Sequence, residues 1–105
     1  MKMSGKFRDG ELTLILAGEL DHHAAKEIMA KLGGKLDAYM PRDCVLDLSG
    51  LQFMDSSGIA LILRTYRKMN ELEGRLRVTN VPPQPMKVLD AAGIERLIEI
   101  KEMGQ

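Results

Sequence analysis

Cys44-Val45-Leu46-Asp47-Leu48 constrains the fold more than any other stretch of this chain. It is nearly all apolar, and it lies between two segments with helical periodicity. A strand with one wet face alternates apolar and polar residues. A run like this one suits a strand covered by neighbours in the middle of a parallel sheet. Parallel strands need crossover connections, and helices are the usual crossovers. Upstream, Ala25, Ile28, Met29, Leu32 and Leu36 recur at i, i+3, i+4, i+7 and i+11, one apolar stripe of a helix. Gly33-Gly34 weakens that helix, at about 1 kcal/mol each relative to alanine, but Leu36 resumes the stripe in phase. Downstream, Ile59, Ile62, Leu63, Tyr66, Met69 and Leu72 give a second stripe over Ser56 to Glu73. Arg64, Arg67, Lys68 and Glu71 fall mostly on its wet face, and Gly74 reads as its left-handed cap.

The rest of the chain extends the same alternation. Asp9-Gly10 is a hairpin dipeptide, because a type I′ turn needs positive φ at both central positions. It predicts antiparallel strands over Met3 to Arg8 and Glu11 to Ala17, ended by Gly18. In the second strand Leu12, Leu14 and Leu16 share one face, and Thr13, Ile15 and Ala17 the other, a pattern compatible with cover on both. Asp21 is placed as a helix N-cap, and Pro41 lies in the turn after that helix. Ser49 to Asp55 reads as a loop, with Met54 as its anchor. Leu76 to Thr79 is the next strand. One of Pro82, Pro83 and Pro85 opens a third helix at its first position. That helix reaches Ala92, with Gly93 at C′ and Leu89 and Ile94 in the contact places of a Schellman motif. Leu97 to Ile100 forms a last strand, and residues 101–105 a frayed polar tail. A hairpin followed by αβαβαβ implies one α/β domain over residues 1–105. Its sheet is mixed and mostly parallel, with right-handed crossovers.

Charge narrows the partners. Fifteen Lys plus Arg balance fifteen Asp plus Glu, so the formal net charge is zero. Broad nucleic-acid or anionic-membrane binding needs a basic excess that is missing here. Cys44, the one cysteine, excludes an internal disulfide and reads as a small core residue. Met1 to Lys6 lacks the apolar region of a signal peptide, and no apolar run suits a membrane span. A cytoplasmic protein is expected.

Two motifs carry the remaining information. In Asp55-Ser56-Ser57-Gly58, small polar residues cap a helix and glycine eases the turn. A serine at a helix mouth is also open to a kinase. The helix dipole and free N–H groups there tolerate a phosphate dianion without unfolding. A hydrolase nucleophile would sit in Gly-x-Ser-x-Gly, but Met54 occupies the first glycine position for Ser56, and no orienting group for a base is evident. A receiver-type aspartate is equally unsupported, because Asp55 follows its strand by several residues. The chain is therefore not expected to be an enzyme. The second motif, Gly18-Glu19-Leu20-Asp21-His22-His23, reads as an N-cap followed by two imidazoles. Adjacent histidines do not share a helical face, and no further ligands complete a metal set. No metal or cofactor is expected. Both motifs follow parallel strands, whose carboxyl-end loops converge on one rim of the sheet.

These two motifs, in this order and in a chain of this size, resemble those of the anti-sigma factor antagonists, small STAS-domain proteins. The likeness runs from the Asp9-Gly10 hairpin to Ile100 and is nearest to the sporulation members. The resemblance implies a partner that is both anti-sigma factor and serine kinase, using ATP and magnesium. The unphosphorylated antagonist binds it and frees a sigma factor. Phosphorylation of one serine weakens that binding, and a PP2C-type phosphatase resets the switch. By the family motif the acceptor is Ser56, and Asp21 contacts the partner. His22, Asp55, Ser57 and Gly58 complete the expected partner-binding set. Ala24, Ala60 and Arg64 depart from the sporulation pattern, the first replacing threonine and the others glycine. A different role known for the same fold, accessory subunit of a membrane transporter, would need no phosphoacceptor.

Overall fold

The computed structural model describes residues 1–104. The chain runs β1 (Lys2–Arg8), β2 (Glu11–Leu20), α1 (His22–Tyr39), β3 (Asp43–Met54), α2 (Ser56–Glu71), β4 (Arg75–Val81), α3 (Pro83–Ala92), a short 3₁₀ turn over Ile94–Arg96, and β5 (Glu99–Glu102). The strands form one sheet in sequence order. β1 and β2 are antiparallel, and every later neighbour is parallel. The expected α/β architecture is therefore the observed one. Asp9 and Gly10 both have positive φ, 52° and 80°, as the hairpin requires.

The three helices lie side by side over one face of the sheet. Leu12, Leu14 and Leu16 of β2 and Cys44, Leu46 and Leu48 of β3 point into that layer. They meet Ile28, Leu32 and Leu36 of α1, Leu61, Ile62 and Met69 of α2, and Leu89 of α3 in one core. A 2.6 Å ion pair from Lys68 Nζ to Asp37 Oδ1 ties α2 to α1. The bond to Asp37 raises the Lys68 pKa. Burial pushes the Cys44 thiol up to about 12, so it stays protonated in the core.

Several elements differ from their sequence reading. Thr13, Ile15 and Ala17 face the side without helices and are half-buried, so β2 is fully covered on one face only. β2 continues through Gly18 to Leu20, and the segment expected to loop, Ser49 to Met54, is the second half of β3. Two register irregularities, at Ile15/Ala17 and at Gly18/Glu19, let these strand ends stay paired despite their glycines and polar residues. The buried line of α2 is Gly58, Leu61, Ile62, Thr65 and Met69; Ile59, Leu63, Tyr66 and Leu72 flank it, half-buried. Thr65 enters the core because its hydroxyl donates to the Leu61 carbonyl at 2.8 Å.

Positive φ after α2 falls on Glu73, not Gly74. Gly74 is needed for space: a Cβ there would lie 2.7 Å from the Arg42 carbonyl oxygen. Pro83 opens α3 at its first turn, and Gly93 closes it at φ 67°. The last strand begins at Glu99, after the 3₁₀ turn, and runs past the expected tail boundary: Glu102 pairs with Val81. The frayed tail predicted from Lys101 is thus a paired strand through Glu102, while Gln105 lies outside the described residues.

Candidate functional site

Leu20 and Met54 are paired neighbours at the carboxyl ends of β2 and β3. Asp21 and Asp55 follow them directly, so the mouths of α1 and α2 lie side by side. The Asp55 N–H donates to the Leu20 carbonyl at 3.3 Å, joining the two mouths through the backbone. Both aspartates are extended N-caps. Asp21 Oδ1 accepts from Ala24 N at 2.9 Å. Asp55 Oδ1 accepts from Ser57 N at 2.8 Å. Each cap satisfies one of the backbone donors that a helix start leaves free.

With Asp55 as cap, Ser56 is the first residue of α2. It is exposed, and among the described residues its hydroxyl takes part in no hydrogen bond. Ser57 is half-buried, with its N–H held by Asp55. Gly58 is buried against Met54 and Leu20: a Cβ would lie 2.3 Å from Met54 Cγ and 3.2 Å from Leu20 Cδ2. Asp21, His22 and His23 are all exposed, and His23 Nε2 lies 3.8 Å from Glu27 Oε1. The structure therefore brings Asp21, His22, Asp55, Ser56, Ser57 and Gly58 onto one rim. Gly58 differs from the others: it shapes the mouth from beneath and offers no surface. Among the described residues no cluster of His, Cys, Asp or Glu is arranged to hold a metal ion, and no helix is long and apolar enough to cross a membrane.

Two residues of this rim escaped the sequence reading. Phe53 pairs with Glu19 beside the mouths and is 40% exposed, large for an aromatic side chain. Taking Ser49–Asp55 as a loop hid the fact that Phe53 turns outward from a strand. Gln84, in the first turn of α3, donates from Nε2 to the Met54 carbonyl and accepts from the Met54 N–H, both at 2.9 Å. No local pattern links positions 54 and 84.

The profile of the STAS domain matches residues 2–103. This chain belongs to the STAS-domain family. Within it, similarity is to anti-sigma factor antagonists. An anti-sigma F factor antagonist of Paenibacillus polymyxa is 35% identical over 91 residues, 87% of this chain and 78% of that one. Another, of Lysinibacillus sphaericus, is 38% identical over 79 residues, 75% of this chain and 68% of that one. Among solved structures, the anti-sigma factor antagonist SpoIIAA in its unphosphorylated form superimposes with a TM-score of 0.81 at 28% identity, covering 94% of this chain and 87% of that one. The Bacillus cell fate determinant SpoIIAA in its phosphorylated form gives 0.73, again at 28% identity, covering 94% and 90%. Family membership and fold thus agree with the resemblance read from the two motifs.

Proposed function

We propose that this STAS domain is a phosphorylation-controlled binding switch that antagonises an anti-sigma factor. Unphosphorylated, its rim binds an anti-sigma factor that is also a serine kinase, and a sigma factor is released. Ser56 is the phosphoacceptor. Its oxygen forms the new bond to the γ-phosphorus of ATP as the bond to ADP breaks, and the hydroxyl proton leaves to a base on the kinase. A PP2C-type phosphatase hydrolyses the ester and resets the switch.

The observation that carries this reading is Ser56 itself: an exposed hydroxyl on the first residue of α2, beside a second aspartate-capped helix mouth. A helix start has free N–H groups and a positive dipole end, so a dianion is tolerated there without loss of the fold. The relative solved in unphosphorylated and phosphorylated forms supports a fold compatible with both. Partner binding is where the added charge acts. Reversing an equilibrium from 1:99 to 99:1 needs about 5.5 kcal/mol of differential affinity. A phosphate on Ser56 must shed its water where a partner covers the rim, and it brings the charges of Asp21 and Asp55 with it into a less polar setting where their mutual repulsion grows, a cost of several kcal/mol in all.

The test is direct. Incubation with ATP, magnesium and the anti-sigma factor of the same organism, followed by peptide mapping, should place one phosphate on Ser56. Ser57 is half-buried and its N–H is engaged by Asp55; phosphate on Ser57 would overturn the assignment.

A further inference from the structure

β3 loses its neighbour part-way along. Its pairing with β4 stops at Asp47–Thr79, while its pairing with β2 continues to Met54. The end of β3 that carries the α2 mouth therefore has a strand on one side only. On the other side, at Met54, stands one side chain. Gln84 Nε2 donates to the Met54 carbonyl and Gln84 Oε1 accepts from the Met54 N–H, each at 2.9 Å. One donor and one acceptor directed at the same residue are what a neighbouring strand would have supplied. The next residue is held from the opposite side, where the Asp55 N–H meets the Leu20 carbonyl. The backbone just before Ser56 is thus clamped between β2 and α3. The α3 side of the clamp is stiff: Gln84 lies between Pro83 and Pro85, and Pro82 is the N-cap.

We propose that Gln84 is a positioning residue for the phosphoacceptor. It closes the unpaired side of β3 and so fixes where the Ser56 hydroxyl stands relative to an incoming kinase. The role rests on the reading of Ser56 as acceptor. It also makes α3 a third element of the switch rim, joined to the other two through Met54. Without the clamp, the strand end before the α2 mouth keeps backbone partners on the β2 side only. Phosphoryl transfer depends on placement of the attacking oxygen, and a displacement of about 1 Å can cost a hundredfold in rate.

Gln84→Met keeps the length and bulk of the side chain and removes both hydrogen bonds. Gln84→Glu keeps the acceptor for the Met54 N–H and loses the donor to the Met54 carbonyl. Amide hydrogen exchange and steady-state phosphorylation by the anti-sigma factor of the same organism are read on the wild type and both variants. In Gln84→Met, exchange at Met54 should rise at least about tenfold while Leu46, in the doubly paired part of β3, stays unchanged. The kcat for Ser56 phosphorylation should fall about tenfold with KM within about twofold, because docking is kept and placement is lost. Gln84→Glu should fall between. An unchanged kcat beside faster Met54 exchange would reduce Gln84 to a structural tie, and unchanged exchange would remove even that. A wild-type chain that takes no phosphate on Ser56 overturns the acceptor reading and the kinetic role with it, while exchange at Met54 still reports on the clamp.

Discussion

α1 and α2 begin alike and are built differently. Each starts with an aspartate N-cap directly after one of a pair of neighbouring strand ends. At α1 the cap is exposed, two exposed histidines follow, and the interior holds Gly33-Gly34, where added methyl groups would meet nothing within 4 Å. At α2 the cap is half-buried, and the glycine in its first turn is pressed against Met54 and Leu20. Met54 is itself held by Gln84. The same cap chemistry thus serves two surfaces. The α1 mouth presents a carboxylate with one oxygen left over from capping. The α2 mouth carries the exposed hydroxyl of Ser56 on a backbone that is held just before it by Gln84 and by Leu20. The switch proposed above would need both: a contact that can be made, and an acceptor on a backbone that does not drift.

The largest expected effect on stability lies in the packing of the α2 mouth. Gly58→Ala places a methyl group where Met54 Cγ and Sδ already stand, 2.3 and 2.5 Å away. Met54 is fully buried and both its backbone groups are tied to Gln84, so it has little room to move. Overpacking of this kind costs about 1–3 kcal/mol. Urea unfolding should show that loss as a lower midpoint at unchanged slope. A loss below about 0.5 kcal/mol, the range of an ordinary surface change, would show that Met54 moves aside and that the α2 mouth is not tightly packed.

Legibility in the sequence followed the range of the interactions. The order of elements was readable because hairpin chemistry, apolar periodicity and N-caps are local signals. Asp9-Gly10, Asp21 and Gly93 each do what their neighbours in sequence imply. The length of β3 was not readable. Ser49, Gly50 and Gln52 look like loop residues, and only the pairing of Gly50, Leu51 and Phe53 with β2, across two register irregularities, keeps this stretch in the strand. The face of α2 was misjudged at Leu61 and Thr65, because a threonine satisfied within its own helix can enter a core. Gly74 looked like a cap but is small to clear Met69, five residues back, and Arg42, which lies beside it only in the fold. For the rim, Asp21 and Ser56 were singled out from their motifs, and the fold sets both at neighbouring helix mouths, whereas Gln84 reaches Met54 across thirty positions of sequence and leaves no pattern.

The second prediction separates capping from contact at the α1 mouth. Asn and Asp are about equal as N-caps, so Asp21→Asn keeps the bond from Ala24 and removes the charge. Thermal melting should stay close to wild type. If the exposed carboxylate pairs with a basic residue of the anti-sigma factor, affinity should fall at least tenfold by calorimetry, about 1.4 kcal/mol. Truncating one partner of a buried charge pair typically costs 2–5 kcal/mol. Unchanged affinity at intact stability would make Asp21 a plain cap. The α1 mouth would then be a capped helix start and no contact surface.

The smallest effect should carry the opposite sign. Gly34 has helical backbone, is exposed, and has open space where a Cβ would go. Gly34→Ala should therefore stabilise the domain by about 0.4–1 kcal/mol, through lower entropy of the unfolded chain and better helix propensity. In a domain of this size that is a rise of a few degrees in melting temperature, on the order of 4–8 °C per kcal/mol. One chemical change, glycine to alanine, then gives a loss at position 58 and a gain at position 34. The sign difference isolates the packing around each glycine, because the intrinsic helix term favours alanine at both. A gain at both positions would mean that the α2 mouth has slack and that Met54 moves aside. A loss at both would mean that α1 is held more tightly than its open surroundings imply. Only the split result fits a first turn of α2 packed tightly around Gly58 and a middle of α1 that leaves open space at Gly34.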